Sequence, residues 1–228
     1  TTPTTTPTEA TTTTSSTSVA TTVSSYKPQN PDCGTQRIGL HQHRQRIVGG
    51  FTADECEYPW LVFLIISQHV CAATIIDKRH IMTAAHCVKN RGLNTPLQPE
   101  VVIVRAGSSH IPDTSIHYVS NITTHPQHDP VHKATAPNST PNLQEVEIPI
   151  VDQLLCQQRY GTDKVNELTF CAGDYYNGGK DSCQGDSGAS LVCKINNRYY
   201  FYGIVSNGID CALALYPGIY TKVSNPQI

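Results

Sequence analysis

The sequence predicts an all-β domain, a sandwich or a barrel, that begins near Ile47. From there the chain carries short β-rich runs at 61–66, 69–76, 80–85, 101–107, 144–151, 190–195, 199–207 and 218–223, separated by Gly, Pro, Asn and Asp. Many short strands with turn signals between them are the signature of that class. In "KINNRYY" the pair Asn196-Asn197 supplies two residues that tolerate positive φ, which suits a tight hairpin. One helix is expected, with Asp152 as N-cap, Leu154 and Leu155 facing inward, then Cys156 and Tyr160. There is no internal repeat.

The residues before Ile47 are of another kind. Residues 1–25 are mostly Thr and Ser, with Pro3 and Pro7 among them. Such a segment cannot bury a core and is expected to be disordered. In a secreted protein it reads as an O-glycosylated stalk, and otherwise as an unmodified tail. Residues 26–46 form a polar connector that holds Cys33 and ends in the basic "HQHRQR" at Arg46. Residues 47–228 are the folded domain. The first residue is Thr, which is expected to mean a removed signal peptide or a fragment.

Composition narrows the function classes. A net charge of -2 gives no reason to expect nucleic acid or an anionic membrane as partner. The longest apolar run, "WLVFLII" at 60–66, is the size of a buried strand and far short of the roughly 18 residues of a membrane span. Nine cysteines point to an oxidising, extracellular setting, and an odd number leaves at least one without a partner in the chain. Sequons at Asn121 ("NIT") and Asn138 ("NST") agree with a secreted glycoprotein.

The stretch "DSCQGDSG" at 181–188 sets Ser187 between an aspartate and a glycine. A serine hydroxyl is a poor nucleophile unless a neighbouring base activates it. Two other stretches supply a context. "RIVGG" at 46–50 opens the folded part, and "MTAAHCV" at 82–88 places His86 beside Cys87. These three motifs in this order resemble the chymotrypsin/trypsin family of secreted serine endopeptidases. The resemblance covers Ile47 to about Val223 and implies a fold of two antiparallel β-barrels of the trypsin type.

That resemblance assigns roles. His86 would take the proton of Ser187 as it attacks a peptide carbonyl and return it to the leaving amine. The backbone N–H groups of Gly185 and Ser187 would form the oxyanion hole. Cleavage after Arg46 would free the amino group of Ile47 to pair with Asp186, so the chain is expected to be a zymogen with a trypsin-like activating protease as partner. Asp181, six residues before Ser187, would be the floor of the primary pocket and select Arg or Lys in protein or peptide substrates. Gly208 and Gly218 match the family's wall glycines, and Ser206 the serine before that wall. Protease inhibitors are a further implied partner class. The implied disulfides are Cys71–Cys87, Cys156–Cys171 and Cys183–Cys211. Cys33 and Cys193 match positions whose partners are missing, and Cys56 has none to assign.

No cofactor is expected. His125, His128 and His132 have helical spacing but share a stretch with Pro126 and Pro130, which favours a loop over a metal site. Ser108 and Ser109 stand where a calcium loop needs acids.

The sequence also departs from the family. Asn207 replaces the usual Trp, and Asp210 the usual Gly. The triad aspartate belongs to a strand between the histidine and serine motifs, but the chain runs from "ITTHPQHDP" almost directly into "NLQEVEIPIV". The aspartate strand, the linker between barrels and the first strand of the second barrel are missing. Asp129 is the only acid before the join, it comes early, and Pro130 would not continue a central strand. The end, "TKVSNPQI", stops where the family's final helix begins. The expectation is therefore an incomplete trypsin-like domain. Two rivals stand beside the enzyme: an impaired relative acting as an extracellular binding protein on its stalk, and a structural surface glycoprotein.

Overall fold

The computed structural model of the chain describes residues 34–35, 50–67, 69–89, 95–125, 141–183 and 185–223. The expected stalk, Cys33, Arg46, Ile47, His128, Asp129, His132 and Asn138 lie outside the described residues.

A two-stranded ladder joins β1 (Phe51–Thr52) to β7 (Gln144–Glu145). The first large sheet comprises β2 (Leu61–Ile66), β3 (His69–Ile75), β4 (Ile81–Met82), β5 (Val102–Ala106) and β6 (Ser115–Tyr118), in the order β4-β3-β2-β5-β6. All its pairings are antiparallel. In β2 the side chains alternate, with Val62, Leu64 and Ile66 buried and the residues between them half-buried. That period of two lets one face of the sheet enter the core.

The second large sheet holds β8 (Thr169–Ala172), β9 (Ser190–Ile195), β10 (Arg198–Asn207) and β11 (Gly218–Lys222), in the order β8-β11-β10-β9. The β9–β10 hairpin turns at Asn196 (φ 49°) and Asn197 (φ 62°), as their tolerance of left-handed backbone predicts. Helix α1 (Gln153–Tyr160) starts at Asp152, whose carboxylate accepts the N–H groups of Leu154 and Leu155. These sheets and the single α-helix among the described residues make the all-β, two-barrel fold that the family resemblance implies.

One core cluster gathers Val62, Leu64, Ala73, Val102 and Val104 of the first sheet around Ile204 of β10, so the second sheet contributes to the first core. A second cluster packs Val151, Cys156, Val165, Cys171 and Ile219. Disulfides close Cys71–Cys87, Cys156–Cys171 and Cys183–Cys211. Cross-links around loops of 15 or 16 residues stabilise by about 3 kcal/mol each on the chain-entropy account. Cys56 is exposed and Cys193 half-buried, and neither forms a disulfide.

Three local expectations need correction. Leu154 is 66% exposed rather than inward. Cys156 is tied to Cys171, so the buried stripe of this short helix runs through position 156, and Leu154 lies about 200° away around the axis. Leu155, at about 100°, does reach the second cluster. The run 80–85 gives a strand only at Ile81–Met82. Beyond it the Thr83 hydroxyl donates to the Ala72 carbonyl at 2.7 Å, and the chain turns into a single 3-10 turn at Ala85–Cys87. The run 144–151 pairs as a strand only at Gln144–Glu145, with an isolated bridge from Ile150 to Ala172.

Candidate active site

Ser187 lies in the loop between β8 and β9, and Asp186 shapes that loop. Asp186 N–H donates to the Cys183 carbonyl at 3.1 Å, and Cys183 N–H donates back to Asp186 Oδ2 at 2.7 Å. Flanking glycines absorb the turn, Gly185 at φ 99° and Gly188 at φ 88°. The loop is then pinned to both sheets. Gly188 N–H donates to Val205 O at 2.9 Å, and Ala72 N–H of β3 donates to Ser187 O at 2.9 Å. Among the described residues, the N–H groups of Gly185 and Ser187 donate to no backbone carbonyl.

The histidine loop meets this loop from the other side. Cys87 Sγ, bonded to Cys71, lies 3.6 Å from Ser187 O. A Cβ built on Gly188 would fall inside van der Waals contact with Thr83 Oγ1 and Ala72 O and stand 3.0 Å from Ala84 N. The segments carrying His86 and Ser187 are thus in direct backbone contact. His86 Nε2 is shielded from solvent.

Asp181 is 2% exposed. Ala212 N–H donates to its Oδ2 at 3.2 Å, while Oδ1 is buried with no hydrogen-bond partner at normal distance among the described residues. Burial pushes the carboxyl up to about 6, against the pull of the N–H groups of Ala212, Ser182 and Gly218, with the charge of Asp186 adding to the rise. Gly218 stands over it, and a Cβ there would meet Asp181 Oδ1 at 2.7 Å. A Cβ on Gly208 would meet Gly218 Cα at 3.7 Å, so the two glycines face each other above the carboxylate. Ser206, before this wall, is half-buried at the end of β10. Asp186 is raised as well, chiefly by burial, with Cys183 N–H opposing.

The Asp181 shift has a measurable consequence. A native carboxyl at about 6 keeps its proton where the unfolded chain, near 4, has released it. Stability should therefore fall as pH rises between about 4 and 6, by roughly 3 kcal/mol in all. Asp181→Asn is expected to flatten that slope in denaturant titrations run across pH. A slope unchanged in the variant would contradict it.

Residues outside the three motifs also shape the site. Ser182 Oγ accepts the Tyr220 hydroxyl at 3.0 Å beside Asp181. Tyr160 of α1 donates to Pro217 O at 2.8 Å, and the Arg159 guanidinium sits 3.8 Å from the Tyr216 ring centroid, bracing the segment before Gly218 from the helix. Gly188 was legible only as the last residue of "GDSG". Asp210 adopts φ 63°, a left-handed backbone for which glycine is the ordinary choice and Asp a tolerated one. Among the described residues no group of His, Cys, Asp and Glu is arranged to hold a metal. No helix among them is long and apolar enough to cross a membrane.

The family model described as Trypsin matches residues 47–136 and 131–227, two segments that overlap at 131–136. Together they span well over half of the chain, and with the two antiparallel sheets and three disulfides they show that the chain belongs to the trypsin family of serine proteases.

Proposed function

We propose that this family member is a serine endopeptidase that cleaves after Arg and Lys, with Ser187 as nucleophile and His86 as its base. The observation that carries the specificity is the buried Asp181 with an open Oδ1 beneath the facing Gly208 and Gly218. A long cationic side chain entering between the glycines satisfies that oxygen and draws the carboxyl back to its charged form. His86 takes the Ser187 proton during attack on the carbonyl, the N–H groups of Gly185 and Ser187 hold the developing oxyanion, and His86 returns the proton to the leaving amine. The test is peptide-library profiling of the activated domain. Cleavage should follow basic residues, and Asp181→Ser should abolish that preference. A wild-type preference for aromatic residues would sink the assignment.

Residues 1–25 are proposed as a stalk, 26–46 as a zymogen connector and 47–228 as the protease domain of a secreted protein. Three disulfides support the oxidising compartment. Activation follows cleavage between Arg46 and Ile47, because the new ammonium compensates the buried Asp186 carboxyl. Arg46→Gln is expected to block activation by a trypsin-like protease. Equal activity before and after cleavage would contradict the pairing. Inhibitors that present a basic residue to Asp181 are the second partner class after substrates.

A second reading has its own observation. Between Thr135 and Asn142 the sequence offers no counterpart of the aspartate strand that the family places between its histidine and serine motifs. This favours a chain of low activity, an impaired relative that binds proteins extracellularly.

A further inference from the structure

We propose that Asn121 carries an N-linked glycan and that this glycan covers the free edge of the first sheet. The edge is β6. Among the described residues it pairs with β5 on one side only, and all four of its residues are exposed. Ile116 is 49% and Tyr118 84% exposed, on the same face. A flat edge strand with apolar side chains is a template for pairing with another chain. Proteins blunt such edges with charges, prolines, bulges or a cover, and Ser115–Tyr118 has neither proline nor acid nor lysine.

Asn121 lies three residues beyond β6, in "NIT", outside any helix or strand. The backbone there is anchored on both sides, because Val119 and Ile122 pack against the first core. Asn121 itself is exposed, and among the described residues its amide makes no hydrogen bond. A sugar attached there is therefore held close to the edge rather than trailing from a free end. The attachment forms a bond from Asn121 Nδ2 to C1 of an oligosaccharide borne on a lipid pyrophosphate. The C1–O bond breaks, the lipid pyrophosphate leaves with the electron pair, and the amide gives up one proton. Thr123 completes the recognition triplet. A bulky, strongly hydrated glycan at this point prevents a second β6 from approaching.

The experiment uses the full chain secreted from eukaryotic cells. Enzymatic removal of N-glycans in ¹⁸O water should convert Asn121 to ¹⁸O-labelled aspartate in the tryptic peptide. An unmodified Asn121 in the secreted, disulfide-bonded chain overturns the proposal. Sedimentation velocity should then show a monomer before native deglycosylation and a shift to dimers or larger species after it. Asn121→Gln is expected to give the same shift, and Asn138→Gln is not. If Asn121→Gln is not secreted, native deglycosylation of the wild-type chain still reads the effect. Tyr118→Lys should return the deglycosylated chain to monomer. A deglycosylated chain that stays monomeric, or association that Tyr118→Lys leaves intact, overturns the covering role.

Discussion

Inserting an aspartate-bearing strand from a close relative between Thr135 and Asn142 is expected to raise turnover of the activated domain by about 10⁴. That figure is the known cost within this family of losing the carboxylate's orienting role, not a quantity derived from this structure. The structural ground is that the backbone of the serine loop is already held in place, so that the orientation of the base is what an added strand would supply. Ser187 O accepts Ala72 N–H at 2.9 Å, and the loop is pinned to β10 through Gly188. An imidazole without an orienting acceptor can hold the wrong tautomer, and the serine then has no base. The check is expression of residues 47–228 with Ile47 as a free terminus, followed by an organophosphorus reagent that reports activated serines. Labelling of Ser187 should be slow in the chain as it stands and rapid after insertion. Rapid, stoichiometric labelling of the uninserted chain, abolished by His86→Ala, would refute this.

Gly188→Ala is expected to destabilise the fold by at least about 3 kcal/mol and to separate the two loops. Two independent costs add at this position. The φ of 88° is one that side chains rarely adopt. The new methyl would also collide with Thr83 Oγ1 and Ala72 O and crowd Ala84 N, two of which are backbone atoms of the strand and turn that carry the histidine. Because Cys71 and Cys87 are cross-linked beside the contact, the strand cannot retreat without disturbing the disulfide. Gly179→Ala is the control. It has φ 79° with nothing within 4 Å of a built Cβ, so only the conformational cost applies, about 1–2 kcal/mol. Denaturant midpoints at constant slope measure both. Equal losses at 179 and 188 would show that the loop contact carries no stability of its own.

Local chemistry was legible because its causes are local. The Asn196-Asn197 turn and the Asp152 cap depend on residues within a few positions of one another, and both formed as read. The three disulfides also followed, but from family likeness rather than from spacing. Where the cause was distant, the pattern misled. Leu154 looks apolar enough to be inward, but the tie from Cys156 to Cys171 sets the helix rotation. The 80–85 run is cut short because Thr83 bonds to β3, eleven residues earlier.

By itself, then, the sequence determined the kind of chemistry at issue: a serine, a histidine and an acid six residues before the serine, within a run of short strands. Only the tertiary structure decided that the segments of Cys87 and Ser187, 100 residues apart, lie in contact, and that Asp181 is buried with one oxygen left open. It likewise decided that β6, just before Asn121, is the outermost strand of its sheet among the described residues. These depend on backbone hydrogen bonds and close packing between distant strands. No local periodicity encodes such contacts, since any one strand's pattern of buried side chains fits many neighbours.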